Sequence, residues 1–173
     1  MKVINMYAGP GAGKSSVAAD LFALMKWHGM NVELVDEYAK ELSWENRKEA
    51  LEDQIYVMAK QNRKLWRLKD QVDYAITDSS IILAPLYSSK SYMPKYFEKL
   101  THEAFQSYDN LNIYLNRTKP FSQVGRHHDE DQSRKKDKEI VEMLLKYDYD
   151  FAYLDADRNT KFHIMEILRE LEK

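Results

Sequence analysis

The feature that most constrains this chain is the run Ala8-Gly-Pro-Gly-Ala-Gly-Lys-Ser15, set between an apolar stretch and an amphipathic one. Val3, Ile4, Met6 and Tyr7 read as a short buried strand, and Val17, Leu21, Leu24 and Met25 recur at helical spacing up to a stop at Gly29. A glycine-rich turn joining a strand to a helix presents backbone N–H groups and the positive end of a helix dipole to one point. That arrangement receives an anion.

The run matches the P-loop pattern with Ala8 in place of its first glycine. Small residues there let the backbone wrap a β-phosphate closely. Gly9, Pro10, Gly11, Ala12, Gly13, Lys14, Ser15 and Ser16 are therefore the expected nucleotide-binding residues, with Lys14 reaching the β/γ-phosphates and Ser15 ligating Mg²⁺.

The rest of the chain alternates strands and helices. Further strands are expected at 31–35, 73–77, 111–115 and 151–154. Helices are expected at 38–42, as one long element from 47 to about 68, and at 96–108, 138–146 and 160–171. This order predicts an α/β fold, a five-stranded parallel sheet with helices on both faces, within one domain of 173 residues. Right-handed crossovers then bring the loops after the strands to one rim. The segment 120–131 is polar, holds Gly125 and lacks periodic apolar residues, which predicts a lid over roughly 117–131.

Acidic residues end two of these strands. Asp78 follows Tyr74-Ala-Ile-Thr77, where a carboxylate near Mg²⁺ belongs; a helix cap is its structural alternative. Asp36 and Glu37 follow the second strand, where a carboxylate can accept the proton of an acceptor hydroxyl. Spacing does not separate those two. Arg117 and Arg126, with Lys119, His127 and His128 beside them, are placed to close on a transferred phosphoryl group. On the long helix, Gln61 is a candidate reader of a base edge, while Arg63 and Arg67 are candidates to clamp a monophosphate acceptor. Trp44 and Trp66 read as core or rim packing rather than base-stacking platforms.

Composition narrows the classes. Lys plus Arg total 26 against 28 Asp plus Glu, which excludes a strongly basic nucleic-acid coat and leaves a local basic patch open. With no cysteine there is no disulfide framework or zinc–thiolate site. No apolar run is long enough to span a bilayer, and the first residues enter a strand rather than a leader pattern. The expectation is a cytoplasmic protein with no membrane partner.

The P-loop, Val35-Asp-Glu-Tyr-Ala-Lys-Glu-Leu42, Asp53-Gln54, Ala59-Lys-Gln61, the stretch 72–80 and the run from Arg117 through Gly125-Arg126 together resemble a known group. It is the small P-loop kinase-like proteins of tailed bacteriophages, related to ribosylnicotinamide kinases and other nucleotide kinases. The resemblance implies a P-loop NTPase fold of nucleotide-kinase type with an arginine-bearing lid. It further implies ATP and Mg²⁺ held by Lys14 and Ser15, Glu37 facing the acceptor, Asp78 beside the metal, and Arg117 and Arg126 in the lid. Some members phosphorylate 5-hydroxymethyluracil in phage DNA.

Three functions follow. The first is a kinase acting on a nucleotide-like hydroxyl, most sharply 5-hydroxymethyluracil in DNA, in the host cytoplasm if the chain is phage-encoded. The second is a kinase for a free nucleoside or deoxynucleoside monophosphate. The third is a regulatory ATP-binding protein without turnover. The absence of a second glutamate beside Asp78 to polarise water ranks transfer to a hydroxyl above hydrolysis.

Overall fold

A computed structural model describes residues 1–89, 95–118, 120 and 129–173. The chain runs β1 (Lys2–Tyr7), α1 (Lys14–Trp27), β2 (Val32–Val35), α2 (Tyr38–Trp44), α3 (Lys48–Glu52), α4 (Gln54–Trp66) and β3 (Tyr74–Thr77). A 3₁₀ turn at Ile81–Leu83 then leads into α5 (Ala84–Tyr87). After it come α6 (Phe97–Gln106), β4 (Asp109–Asn116), α7 (Glu130–Lys146), β5 (Ala152–Asp155) and α8 (Thr160–Leu171).

The five strands form one sheet in the order β2-β3-β1-β4-β5, and each neighbouring pair is parallel. The α/β, five-stranded P-loop NTPase fold expected from the sequence is the one observed. Residues of β1 alternate between the two faces, as strand geometry requires. Val3 and Tyr7 join the core beneath α4, α6 and α7, whereas Ile4, Met6 and Ala8 join the core beneath α1 and α8. An apolar strand buried on both faces is what a central parallel position demands.

Most boundaries fall within two residues of expectation; two differ by more, each for a local reason, and one helical segment was not expected. The long helix is two helices, α3 and α4, because Asp53 leaves helical geometry and its side chain accepts the Tyr56 N–H at 3.1 Å. Helix α7 starts eight residues before the expected position, at Glu130 rather than 138. Asp129 and Gln132 form a reciprocal capping box there, at 2.8 and 3.0 Å, with Glu130 and Asp131 in the first turn favouring the dipole. The short helical segment from Ile81 to Tyr87 had no clear periodicity to announce it.

One polar feature crosses the apolar interior below the rim. Tyr7 Oη donates to Asn112 Oδ1 at 3.1 Å and accepts from Ser80 Oγ at 3.0 Å, and Asn5 Nδ2 donates to Asn110 Oδ1 at 2.9 Å. These bonds satisfy buried polar groups on the face under the site. Burial drives the Tyr7 phenol well above its ordinary pKa, so it acts there as a neutral hydrogen-bonding group.

Candidate active site

The loops after β1, β2 and β3 meet around a cavity of about 540 Å³. Its wall includes Gly13, Lys14, Ser15 and Ser16 of the P-loop, Glu37 after β2 and Asp78 after β3. Because β1 and β3 are adjacent, with Asn5 opposite Thr77, the start of α1 and the end of β3 lie side by side. Ser15 Oγ accordingly donates to Asp78 Oδ2 at 2.5 Å.

The loop itself is built from two left-handed glycines. Gly11 has φ 79° and Gly13 φ 107°, values that carry a penalty for any residue with a Cβ. Gly13 is the N-cap of α1 with no side-chain cap, so the first N–H groups of that helix are left for an anion. Lys14 Nζ donates to the carbonyl oxygens of Ala8, at 2.7 Å, and Gly9, at 3.2 Å. Desolvation lowers its pKa below the ordinary lysine range, against the opposing pull of Glu37, Asp78 and Asp137. A cation held this way gains from an arriving phosphate, whose charge offsets the desolvation.

Asp78 is buried, and its Oδ1 has no hydrogen-bond partner among the described residues. With Ser15 Oγ against Oδ2, this presents hard oxygen donors from two elements at one point. That suits Mg²⁺, which takes one or two protein oxygens and completes its octahedron with water and phosphate. No cluster of three or more His, Cys, Asp or Glu side chains among the described residues offers an all-protein metal cage.

The two acids after β2 differ in place. Glu37 lines the cavity, whereas Asp36 is 76 % exposed at its side chain, pairs with Lys64 at 3.2 Å and lines an adjoining pocket of about 270 Å³ that shares Ser15, Glu37 and Asp78. Gln61, the candidate for a base edge, stands in the cavity wall with its amide bonded to the fold. Its Oε1 accepts the Tyr38 N–H at 2.9 Å, and its Nε2 donates to the Asp36 carbonyl at 3.3 Å and Thr77 Oγ1 at 3.4 Å. An amide has two N–H donors, and both are used.

Arg63 and Arg67 do not line the cavity; both are exposed, and Arg63 lies 5.1 Å over the Trp66 ring. Trp66 is 58 % exposed and Trp44 64 %, so neither belongs to the core, and Trp44 stands in the cavity wall. The other wall residues are apolar and polar in similar number: Leu51, Val57, Met58, Ile81 and Leu83 stand beside Lys40, Glu52, Gln54, Tyr87 and several serines.

Arg117 is not among the cavity-lining residues. Its guanidinium donates to the Pro10 carbonyl at 3.2 Å, to Ser133 Oγ at 2.6 Å and to Asp137 Oδ2 at 3.0 Å. Asp137 Oδ1 in turn accepts the Gly9 N–H at 2.5 Å, and Ser133 Oγ donates to the Pro10 carbonyl at 2.6 Å. The first turns of α7 are thereby stapled to the P-loop. Sequence reasoning missed Ser133 and Asp137, since both fall between the expected lid, ending near 131, and the helix expected from 138, in a stretch given no element. Only the capping pair Asp129 and Gln132 would have signalled an earlier helix. Arg126, Lys119, His127 and His128, and most of the expected lid, lie outside the described residues.

No curated protein matches the sequence. Among solved structures, the fold is similar to deoxyadenosine kinase from M. mycoides, determined with bound dATP, at 18 % identity and a TM-score of 0.59 over 100 % of both chains. That likeness is one of fold. The sequence itself matches the AAA domain family over residues 3–161, from β1 into α8 and through every residue of the phosphate cradle, and the chain belongs to that family.

Proposed function

We propose that this chain is an ATP- and Mg²⁺-dependent kinase that moves the γ-phosphate to a hydroxyl of a nucleoside-like acceptor. The observation that carries the reading is the convergence of Lys14, Ser15, Asp78 and Glu37 on one walled cavity. Phosphoryl transfer needs positioning and charge neutralisation more than covalent chemistry, and these residues supply both.

Lys14 and the N–H groups at the start of α1 bind the β- and γ-phosphates. Ser15 and Asp78 would hold Mg²⁺, which would supply charge neutralisation at the phosphate oxygens. Glu37, the acid that faces the cavity, takes the proton of the acceptor hydroxyl. The hydroxyl oxygen bonds to the γ-phosphorus as the bond to the β–γ bridging oxygen breaks, leaving ADP. Arg117 acts by bracing the P-loop through Pro10 rather than by touching the γ-phosphate. The apolar residues of the wall exclude water and disfavour hydrolysis.

An uncharged acceptor fits better than a monophosphate. Among the described residues the cations in the cavity wall are Lys14 and Lys40, and the two arginines suited to a phosphate clamp lie elsewhere. A hydroxylated base in DNA would have to be flipped out of the duplex to enter the same space. The likeness to tailed-phage kinases justifies testing it.

The experiment is transfer of labelled γ-phosphate to free nucleosides, monophosphates, and DNA with or without 5-hydroxymethyluracil. The expected result is label on a free nucleoside. Glu37→Gln should cut turnover by about 10²–10⁴-fold while ATP affinity stays near wild type. Label on modified DNA alone would move the acceptor to the polymer. ATP binding with no label on any acceptor would refute the kinase reading in favour of a regulatory nucleotide-binding protein.

A further inference from the structure

Gln61 sits on α4, buried at 3 % exposure, and is bonded on both sides of Glu37 in sequence. Its Oε1 takes the N–H of Tyr38, and its Nε2 holds the carbonyl of Asp36. The same Nε2 reaches Thr77 Oγ1, the side chain immediately before Asp78. Thr77 Oγ1 also accepts the Ser79 N–H at 3.2 Å, so the turn carrying Asp78 is held from both sides. One neutral amide thus spans the ends of β2 and β3, the two strands that deliver the cavity's carboxylates. Lys64, one turn further along α4, adds a bond to the Asp36 carbonyl at 3.3 Å and an ion pair with Glu41 of α2.

We propose that Gln61 is a positioning residue, which sets the Glu37 carboxylate against the Ser15–Asp78 pair by clamping the peptide groups on either side of it. This rests on the kinase reading above. The peptide groups on both sides of Glu37 are held by this one side chain, so the path of the backbone that carries the Glu37 carboxylate depends on Gln61. A shift near 1 Å in a reacting group is enough to cost about 100-fold in rate.

The test compares wild type, Gln61→Met and Gln61→Glu. Methionine keeps the volume and removes all three bonds. Glutamate keeps an acceptor for the Tyr38 N–H and loses both donations. Hydrogen exchange at the Tyr38 amide reads the clamp without any turnover: protection should fall in Gln61→Met and persist in Gln61→Glu. In the transfer assay kcat should fall about 10- to 100-fold in Gln61→Met and less in Gln61→Glu, with ATP affinity unchanged in both. A Gln61→Met protein that loses Tyr38 protection yet turns over at the wild-type kcat overturns the inference. So does loss of ATP affinity in proportion to kcat, which would mark general damage. If the methionine variant does not fold, a wild-type kcat in Gln61→Glu overturns it equally. Failure of the wild type to transfer phosphate at all is a separate result, which refutes the kinase reading and this inference with it.

Discussion

Gly9→Ala tests how the P-loop is built. Gly9 is not among the residues with positive φ, so its backbone would accept an alanine. Space is the obstacle. A Cβ there would lie 2.9 Å from both Asp137 Oδ1 and Ser133 Oγ, and closer still to the Ser133 carbonyl oxygen. That carbonyl belongs to the backbone of α7 and cannot swing aside as a side-chain tip can. Relief requires the helix and the loop to separate. Overpacking of this kind costs about 1–3 kcal/mol. Weakening the Gly9 N–H bond to the Asp137 carboxylate adds about 1–2 kcal/mol, since bonds to charged groups are the stronger ones. Partial relaxation overlaps the two, for a total of about 2–4 kcal/mol. At roughly 2–4 °C per kcal/mol for a chain of this size, the melting temperature should drop by roughly 5–15 °C. The assay is thermal unfolding without nucleotide, alongside binding of a fluorescent ATP analogue. A variant that melts within about 1 °C of wild type but binds ATP poorly would refute the packing argument. Gly9 would then serve close approach of the phosphate.

Two further predictions address charge. Lys14→Met removes a cation bonded to the Ala8 and Gly9 carbonyls, whose desolvation outweighs the pull of Glu37, Asp78 and Asp137; it should leave folding intact or slightly more stable and abolish measurable transfer, checked by thermal unfolding and the phosphate-transfer assay. His102, half-buried with Nδ1 2.8 Å from Tyr149 Oη and its ring 3.7 Å from that of Tyr147, has its pKa lowered by desolvation, with Lys146 adding to the effect and Glu98 opposing it. The unfolded chain then binds the proton more readily, so His102 contributes stability above about pH 6.5 that is lost as pH falls through its lower folded value. Urea unfolding at about pH 7.5 and about pH 5.5 should show a smaller pH dependence in His102→Phe than in wild type, and an equal dependence would exclude His102 as its source.

Local sequence determined the elements and their rough order. The strand–glycine–helix run at residues 2–27, the acids closing β2 and β3, and the alternation of apolar segments depend on neighbours within a few positions. Period and turn chemistry report that range well. From them follow the parallel sheet, the rim that gathers the loops, and Lys14, Ser15, Asp78 and the Asp36–Glu37 pair as candidates for one site. Where a boundary was misplaced, a side chain had overruled periodicity: Asp53 interrupts α3 and α4, and the box of Asp129 and Gln132 starts α7 early.

Tertiary structure decided what each polar residue does. Arg117 and Asp137 are 20 positions apart, and Gly9 and Asp137 are 128 apart, so nothing local indicates that they meet at the back of the P-loop. Gln61 carries the composition of a helix surface, and it became a clamp only because α4 lies across the ends of β2 and β3. Asp36 and Glu37 are adjacent and chemically alike. The start of α2 turns one into the cavity and leaves the other to Lys64, a choice made by packing between elements rather than by the residues themselves.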